Sequence, residues 1–116
     1  MKVLIDTNFF MIPFKFKIDI FAEFKRISDE NPELYTLSGV IDELKKIAPL
    51  KTQFFKELIE KNSVKILKSE GKVDDYIVKI SKNYATATND RALRKRLKEK
   101  NAKIILMREK SKLEFA

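Results

Sequence analysis

The chain has 116 residues, 44% of them apolar, with two glycines, three prolines and neither cysteine nor histidine. That composition suits a single globular domain over 1–116 and excludes disordered, collagen-like and disulfide-scaffold classes. It also removes thiolate zinc sites, imidazole bases and Ser-His-Asp triads, so any metal chemistry must use hard oxygen ligands, which points to Mg2+ or Mn2+.

No apolar run is long enough to span a membrane, and Met1 leads into a strand without a signal-peptide pattern, so a cytoplasmic protein is expected. The net charge is +8, unevenly spread. Residues 1–90 carry 15 Lys/Arg against 14 Asp/Glu, whereas 91–116 carry 10 against 3. A basic excess confined to one end is expected of a surface that faces a polyanion, the plainer reading being a solvated lysine-rich helix.

In chain order, Val3-Leu4-Ile5 is a continuous apolar run that predicts a strand buried on both faces, and it ends in Asp6. Phe9 to Lys17, phenylalanine-rich and broken by Pro13, predicts a loop or short turn. Ile20, Phe21, Phe24 and Ile27 follow helical spacing up to Asn31-Pro32, and Leu34 to Leu37 predicts a second strand. Ser38 is an expected N-cap for a helix carrying Val40, Ile41, Leu44 and Ile47, which stops near Pro49. Phe54, Phe55, Leu58 and Ile59 mark another helix, and Val64 to Leu67 a short third strand. Val73, Ile77, Ile80 and Tyr84 share one helical face, Tyr84 to Thr88 reads as a small-residue strand, Asp90 to Lys100 as a basic helix, and Lys103 to Met107 as a final strand. Strands alternating with helices at this spacing predict an α/β fold, a three-layer α/β/α arrangement around a parallel sheet of about five strands.

Right-handed crossovers place the carboxyl ends of such strands along one edge, where α/β folds hold their ligands. Asp6 and Asp90 directly follow strands. Two further acids fall near helix starts. At about 100° per residue, Glu43 lies at the edge of the Val40, Leu44, Ile47 stripe while Asp42 points away. The same geometry places Asp74 beside the Val73, Ile77, Ile80 stripe and turns Asp75 outward. Each acid has a plain alternative: Asp6 or Asp90 as a cap, Asp74 and Asp75 as first-turn acids, Glu43 paired with Lys46. Crowded carboxylates raise one another's pKa unless a cation neutralises them, and a divalent ion does so with oxygen ligands.

Val3-Leu4-Ile5-Asp6-Thr7-Asn8, Gly39-Val40-Ile41-Asp42-Glu43-Leu44, Val73-Asp74-Asp75-Tyr76-Ile77 and Thr88-Asn89-Asp90 together resemble the four acidic motifs of PIN-domain nucleases, in the right order and over nearly the whole chain. The chain looks closest to small stand-alone archaeal PIN proteins related to ribosomal-RNA-processing PIN nucleases, with VapC-type toxins a more distant likeness. The resemblance implies that Asp6, Glu43, Asp74 and Asp90 are metal-binding and catalytic acids, supported by Asn8 and Thr88. The family spacing of an aliphatic residue three positions after the third acid fits Asp74 with Ile77. The segment from Asp74 to Asp90 departs from the toxin branch in being shorter and lacking a glycine before the fourth strand, which keeps Asp75 as a second choice.

The activity implied is metal-dependent hydrolysis of RNA phosphodiester bonds, with Mg2+ or Mn2+ as cofactor and a role in ribosomal RNA processing or RNA turnover. Arg91, Arg94, Lys95, Arg96 and Lys98 are the expected nucleic-acid-binding residues, gripping phosphates while Leu93 and Leu97 anchor their helix. RNA rather than DNA follows from the resemblance alone. The resemblance also allows a homodimer and, through the toxin likeness, an antitoxin partner, which no residue pattern here indicates. A non-catalytic PIN-like RNA-binding or assembly module is the main alternative. An aspartyl phosphatase is disfavoured because position 8 is Asn, which removes the general acid, and nucleotide-binding folds are disfavoured because no glycine-rich phosphate loop occurs. Phe9, Phe10, Phe14 and Phe16 are expected to pack in a core or dimer contact, with base stacking the alternative.

Overall fold

The computed structural model describes residues 1–116. Its first strand, β1 (Lys2–Ile5), buries Val3, Leu4 and Ile5 completely. Two one-turn helices follow, α1 (Thr7–Phe10) and α2 (Ile12–Lys15), then α3 (Ile20–Ile27) and β2 (Glu33–Leu37). The next elements are α4 (Ser38–Ile47), α5 (Thr52–Lys61), β3 (Lys65–Leu67), α6 (Val73–Ile80) and β4 (Ala85–Ala87). The basic helix α7 (Arg91–Glu99) leads into β5 (Lys103–Arg108) and β6 (Lys112–Phe115).

The six strands form one sheet in the order β3-β2-β1-β4-β5-β6, parallel throughout except for the antiparallel β5–β6 pair. From β1 the chain winds outward to β2 and β3, then returns past β1 to β4 and β5. With right-handed crossovers this puts α3, α4 and α5 on one face and α6 and α7 on the other, a three-layer α/β/α fold. The winding reverses between β1 and β4, the switch point at which α/β sheets open a crevice at their carboxyl edge. Register is set there by Leu4 opposite Thr86 and Ile5 opposite Ala87. The small side chains of β4 let α6 and α7 settle close over the sheet.

The expected elements are present, with corrections. Most of Phe9 to Lys17 is helical rather than a loop, in α1 and α2, and only Met11, Phe16 and Lys17 lie outside the two helices. Pro13 falls in the first turn of α2, where its missing N–H costs nothing. Phe9 and Phe10 are fully buried, Phe9 against Phe24 and Phe10 against Phe55, while Phe14 lies 4.6 Å from Phe54. For Phe9 and Phe10 this settles the choice between core packing and base stacking in favour of packing. Ser38 is not the cap of α4. Leu37 occupies that position, and the Ser38 hydroxyl instead accepts from the Ser69 amide at 2.9 Å. Ile47, expected on the buried stripe, is 60% exposed at the end of α4. Tyr84 lies beyond α6 in extended backbone and packs on Tyr35.

The sixth strand, beyond the five expected, is the one strand without a sequence signal. Lys112-Leu113-Glu114-Phe115 is short and half charged, and only Leu113 reaches the core. Its unpaired edge would expose the Leu113 amide and carbonyl. Glu23 of α3 accepts from the amide at 3.0 Å, and Arg26 donates to the carbonyl at 2.7 Å, so side chains close the edge that a neighbouring chain could otherwise extend.

One buried hydroxyl has no partner. Thr86 on β4 is fully buried between Leu4 and Ile104, and its Oγ1 makes no hydrogen bond. A buried hydroxyl without a partner costs about 1–3 kcal/mol, and valine keeps the shape without that atom. Thr86→Val is therefore expected to raise the unfolding free energy by about 1 kcal/mol in a urea titration, with unchanged fold by circular dichroism. A destabilised variant would show that the hydroxyl has an acceptor.

Candidate active site

The site is built at the switch point from the residues just beyond β1 and β4. Asp6 caps α1: its Oδ1 accepts from the Thr7 amide at 2.8 Å. Its Oδ2 accepts from the Thr88 hydroxyl at 2.7 Å and from Asn8 Nδ2 at 3.1 Å. Asp6 is 4% exposed, and no lysine or arginine pairs with it. Thr88, fully buried, is a junction, since its Oγ1 also accepts from the Asp90 amide at 3.1 Å. Asn8 continues the link by accepting from the Asn89 amide at 3.1 Å. Asn8 and Thr88, the two residues expected to support the acids, both donate to Asp6.

Glu43 is brought in from α4. It does not pair with Lys46. Its Oε2 accepts from the Thr7 hydroxyl at 3.0 Å, so the residue after Asp6 orients the second acid. The start of α4 can approach α6 because Gly39 has no side chain. A Cβ there would meet Val73 Cγ2 at 2.9 Å and Ser69 Oγ at 3.0 Å, the atom to which the Gly39 amide also donates. Asp90 caps α7, accepting from the Leu93 amide at 2.7 Å, and keeps its other oxygen free of protein partners.

Asp74 and Asp75 separate as the helical spacing predicted. Asp75 is turned outward and pairs with Arg96 at 2.9 Å. Asp74 has no paired cation and feels the charge of Asp90. As placed, however, no three acidic side chains are gathered closely enough to grip one ion together. Asp6, Glu43 and Asp90 each spend one or both oxygens on neighbouring donors, and Asp74 and Asp90 reach solvent.

Electrostatics ties the acids together nonetheless. Burial pushes the Asp6 carboxyl up to about 6, with smaller upward contributions from Asp74 and Glu43, against the lowering effect of the Thr88 and Thr7 hydrogen bonds. Partial burial also raises Asp74, with Asp90 and Asp75 adding and Arg96 opposing. The donor set is all oxygen, mutually repelling and without an internal counter-ion, which fits a hard divalent cation.

Of the basic helix, Arg91, Lys95, Arg96 and Lys98 are exposed and Arg94 half-buried. Arg96 is committed to Asp75. Arg91 lies beside Asp90, whereas Lys98 lies two turns down α7, away from the carboxylates. Two residues escaped the sequence reading. Thr7 orients Glu43, and Asn89 joins the β1 end to β5 by accepting from the Met107 amide at 2.9 Å. Their only sequence signal is adjacency to Asp6 and Asp90.

The raised Asp6 pKa has a signed consequence. The folded state holds a proton that the unfolded chain, titrating near 3.8, releases, so stability falls as pH rises through about 6. Glu23, held below its ordinary value by Arg26, opposes this only at lower pH, and the chain has no histidine to confuse the window. Metal-free protein is expected to be more stable at pH 5 than at pH 7.5 by about 1–2 kcal/mol, or roughly 5 °C in Tm. Asp6→Asn should flatten that dependence; an equal slope in the variant would locate the titration elsewhere.

The chain is similar to known proteins over nearly its whole length. Residues 3–110 match a family described as PIN like domain. Ribonuclease VapC4 of Methanocaldococcus jannaschii is 28% identical over 125 aligned residues, covering 98% of this chain and 95% of that protein. The structure of the PIN domain endonuclease Utp24 superimposes with a TM-score of 0.83 at 25% identity, covering 98% of this chain and 90% of its own. The chain belongs to the PIN-like domain family.

Proposed function

We propose that this protein is a divalent-metal-dependent endoribonuclease that hydrolyses RNA phosphodiester bonds at the carboxylate edge, in ribosomal RNA processing or RNA turnover. The observation that carries this reading is Asp6, buried at the switch point, without a protein cation, and raised by burial and by Asp74 and Glu43. That it lies in a chain similar to a ribonuclease and to an endonuclease supplies the substrate class.

Asp6, Glu43, Asp74 and Asp90 would hold Mg2+ or Mn2+, with Asp75, which pairs with Arg96, the second choice for the third acid. The ion supplies activation of water and neutralisation of charge at the phosphoryl group. The protein's part is positional. Thr88 and the Thr7 amide hold Asp6 in one rotamer, the Thr7 hydroxyl holds Glu43, and the α7 cap holds Asp90. Arg91 beside the site binds substrate phosphate and leaves base identity unread.

A labelled RNA pool incubated with Mn2+, Mg2+ or EDTA tests this. The wild type is expected to cut only with metal. Asp6→Asn and Asp90→Asn should each lose about a thousandfold or more, as removing several kcal/mol of metal assistance implies. Asparagine is the informative replacement at 90 because it still caps α7. Thr7→Val, which frees Glu43 without touching its charge, should cost roughly ten- to a hundredfold. Mg2+ should also raise the Tm of the wild type at pH 7.5 and not that of Asp6→Asn, a readout independent of turnover.

The dispersed side chains of the four acids favour one alternative, a PIN-like RNA-binding or assembly module with weak or no catalysis. RNA binding with no cleavage in either metal, and no metal-dependent change in Tm, would establish it.

A further inference from the structure

We infer that the RNA strand leaves the carboxylate edge along one flank of α7 and over the β5–β6 hairpin, held by Arg91, Arg94, Lys98 and Lys112. This path rests on the nuclease reading above for its substrate and extends it to surfaces that reading leaves unused.

The basic residues of α7 are not one patch. Leu93 and Leu97, both fully buried, fix which side of the helix meets the sheet. At about 100° per residue, Arg94, Lys98 and Arg91 then fall within one sector to one side of that line, and Arg96 falls on the other side. The structure agrees: Arg96 reaches α6 and pairs with Asp75. Lys98 turns the opposite way and shares a surface hollow with Ile104 of β5 and Ala116 beyond β6.

The hairpin adds cations to the same side. In an antiparallel pair, residues directly opposite share a face. Arg108 opposite Lys112 and Leu106 opposite Glu114 therefore alternate with Met107 opposite Leu113. The second pair belongs to the α3 side, where Leu113 is in the core. The first two belong with Ile104 on the α7 side. Asn89 docks this hairpin to the catalytic edge through the Met107 amide, so Arg108 follows directly after a residue bonded to the site.

Four cations without an ion-pair partner, Arg91, Arg94, Lys98 and Lys112, thus line one surface, from Arg91 beside Asp90 to Lys98 about 10 Å down the helix axis, with Arg108 paired to Glu114 beside them. The facing carboxylate is Glu114, already neutralised by Arg108. Glu99 lies on the far flank of α7, and Glu109 is in the exposed hairpin turn. The half-buried Arg94 carries an Nε–H that is closed to solvent and has no acceptor.

The test is binding of a fluorescein-labelled single-stranded 12-nucleotide RNA to the full chain in EDTA, so that catalysis plays no part. The triple variant Arg94→Gln, Lys98→Gln, Lys112→Gln should raise Kd about tenfold or more and reduce the slope of log K against log salt by about 2, from three lost phosphate contacts at about 0.7 each. Lys45→Gln, Lys56→Gln, Lys61→Gln, the same charge change on α4 and α5, should stay within about twofold of wild type. Should the triple variant fold poorly, Arg91→Gln with Lys112→Gln removes two exposed cations that have no protein partner, and about fivefold weakening is expected. Equal losses from both surfaces, no loss from the strip variants, or no binding by the wild type would overturn the path. Absence of Mn2+-dependent cutting by the wild type would overturn the nuclease reading alone and leave this comparison intact.

Discussion

The Thr88 hydroxyl is the interaction on which the carboxylate edge depends. It donates to Asp6 and accepts from the Asp90 amide, so one buried atom joins the end of β1 to the cap of α7 across 82 residues of sequence. A hydroxyl can do this because it is donor and acceptor at once; valine would fill the space and sever both links. The parallel pairing of β1 with β4 makes the junction possible by bringing two strand ends side by side at the point where the winding of the sheet reverses. Thr7 and Asn89 extend the same network outward, the first to Glu43 and the second to β5.

Around that junction the molecule separates its charges. Negative side chains collect at the crevice without a protein counter-ion, while the basic excess of residues 91–116 lies on α7 and the terminal hairpin. A polyanionic substrate would be repelled by the first and held by the second unless the acids were themselves neutralised. In the proposed function metal and substrate would therefore be linked, since a cation that neutralised Asp6 would also make the edge approachable by a phosphodiester. Asp75, although adjacent to Asp74, is held differently: its pair with Arg96 links α7 to α6.

Much of this was legible in the chain. The apolar run ending in Asp6, the stripe positions of Glu43 and Asp74, and the strand before Asp90 follow from residue periodicity, which depends only on local backbone geometry. The separation of Asp74 from Asp75 was readable for the same reason, since adjacent residues on a helix point about 100° apart. What escaped was non-local. The helical turns at Thr7–Phe10 and Ile12–Lys15 are too short to show a period and form because Phe9, Phe10 and Ile12 fill the core under α3 and α5. Ser38 carries an ordinary capping signal but is recruited by Ser69. The strand β6 has one core residue, and the partners that close its edge, Glu23 and Arg26, lie some 90 residues away.

The sequence by itself determined the α/β class, the order of the five parallel strands and of the longer helices between them, and the end of the chain that carries the positive charge, because each of these is written in spacing or composition; the four acids as a set came from the resemblance to PIN-domain nucleases. Only the tertiary structure decided how the acids are held, which arginine is spent on an ion pair, and which flank of α7 joins the hairpin to make one surface. Those depend on which residues meet across the sheet, and such meetings are set by packing, register and the direction of each crossover rather than by any local run of residues.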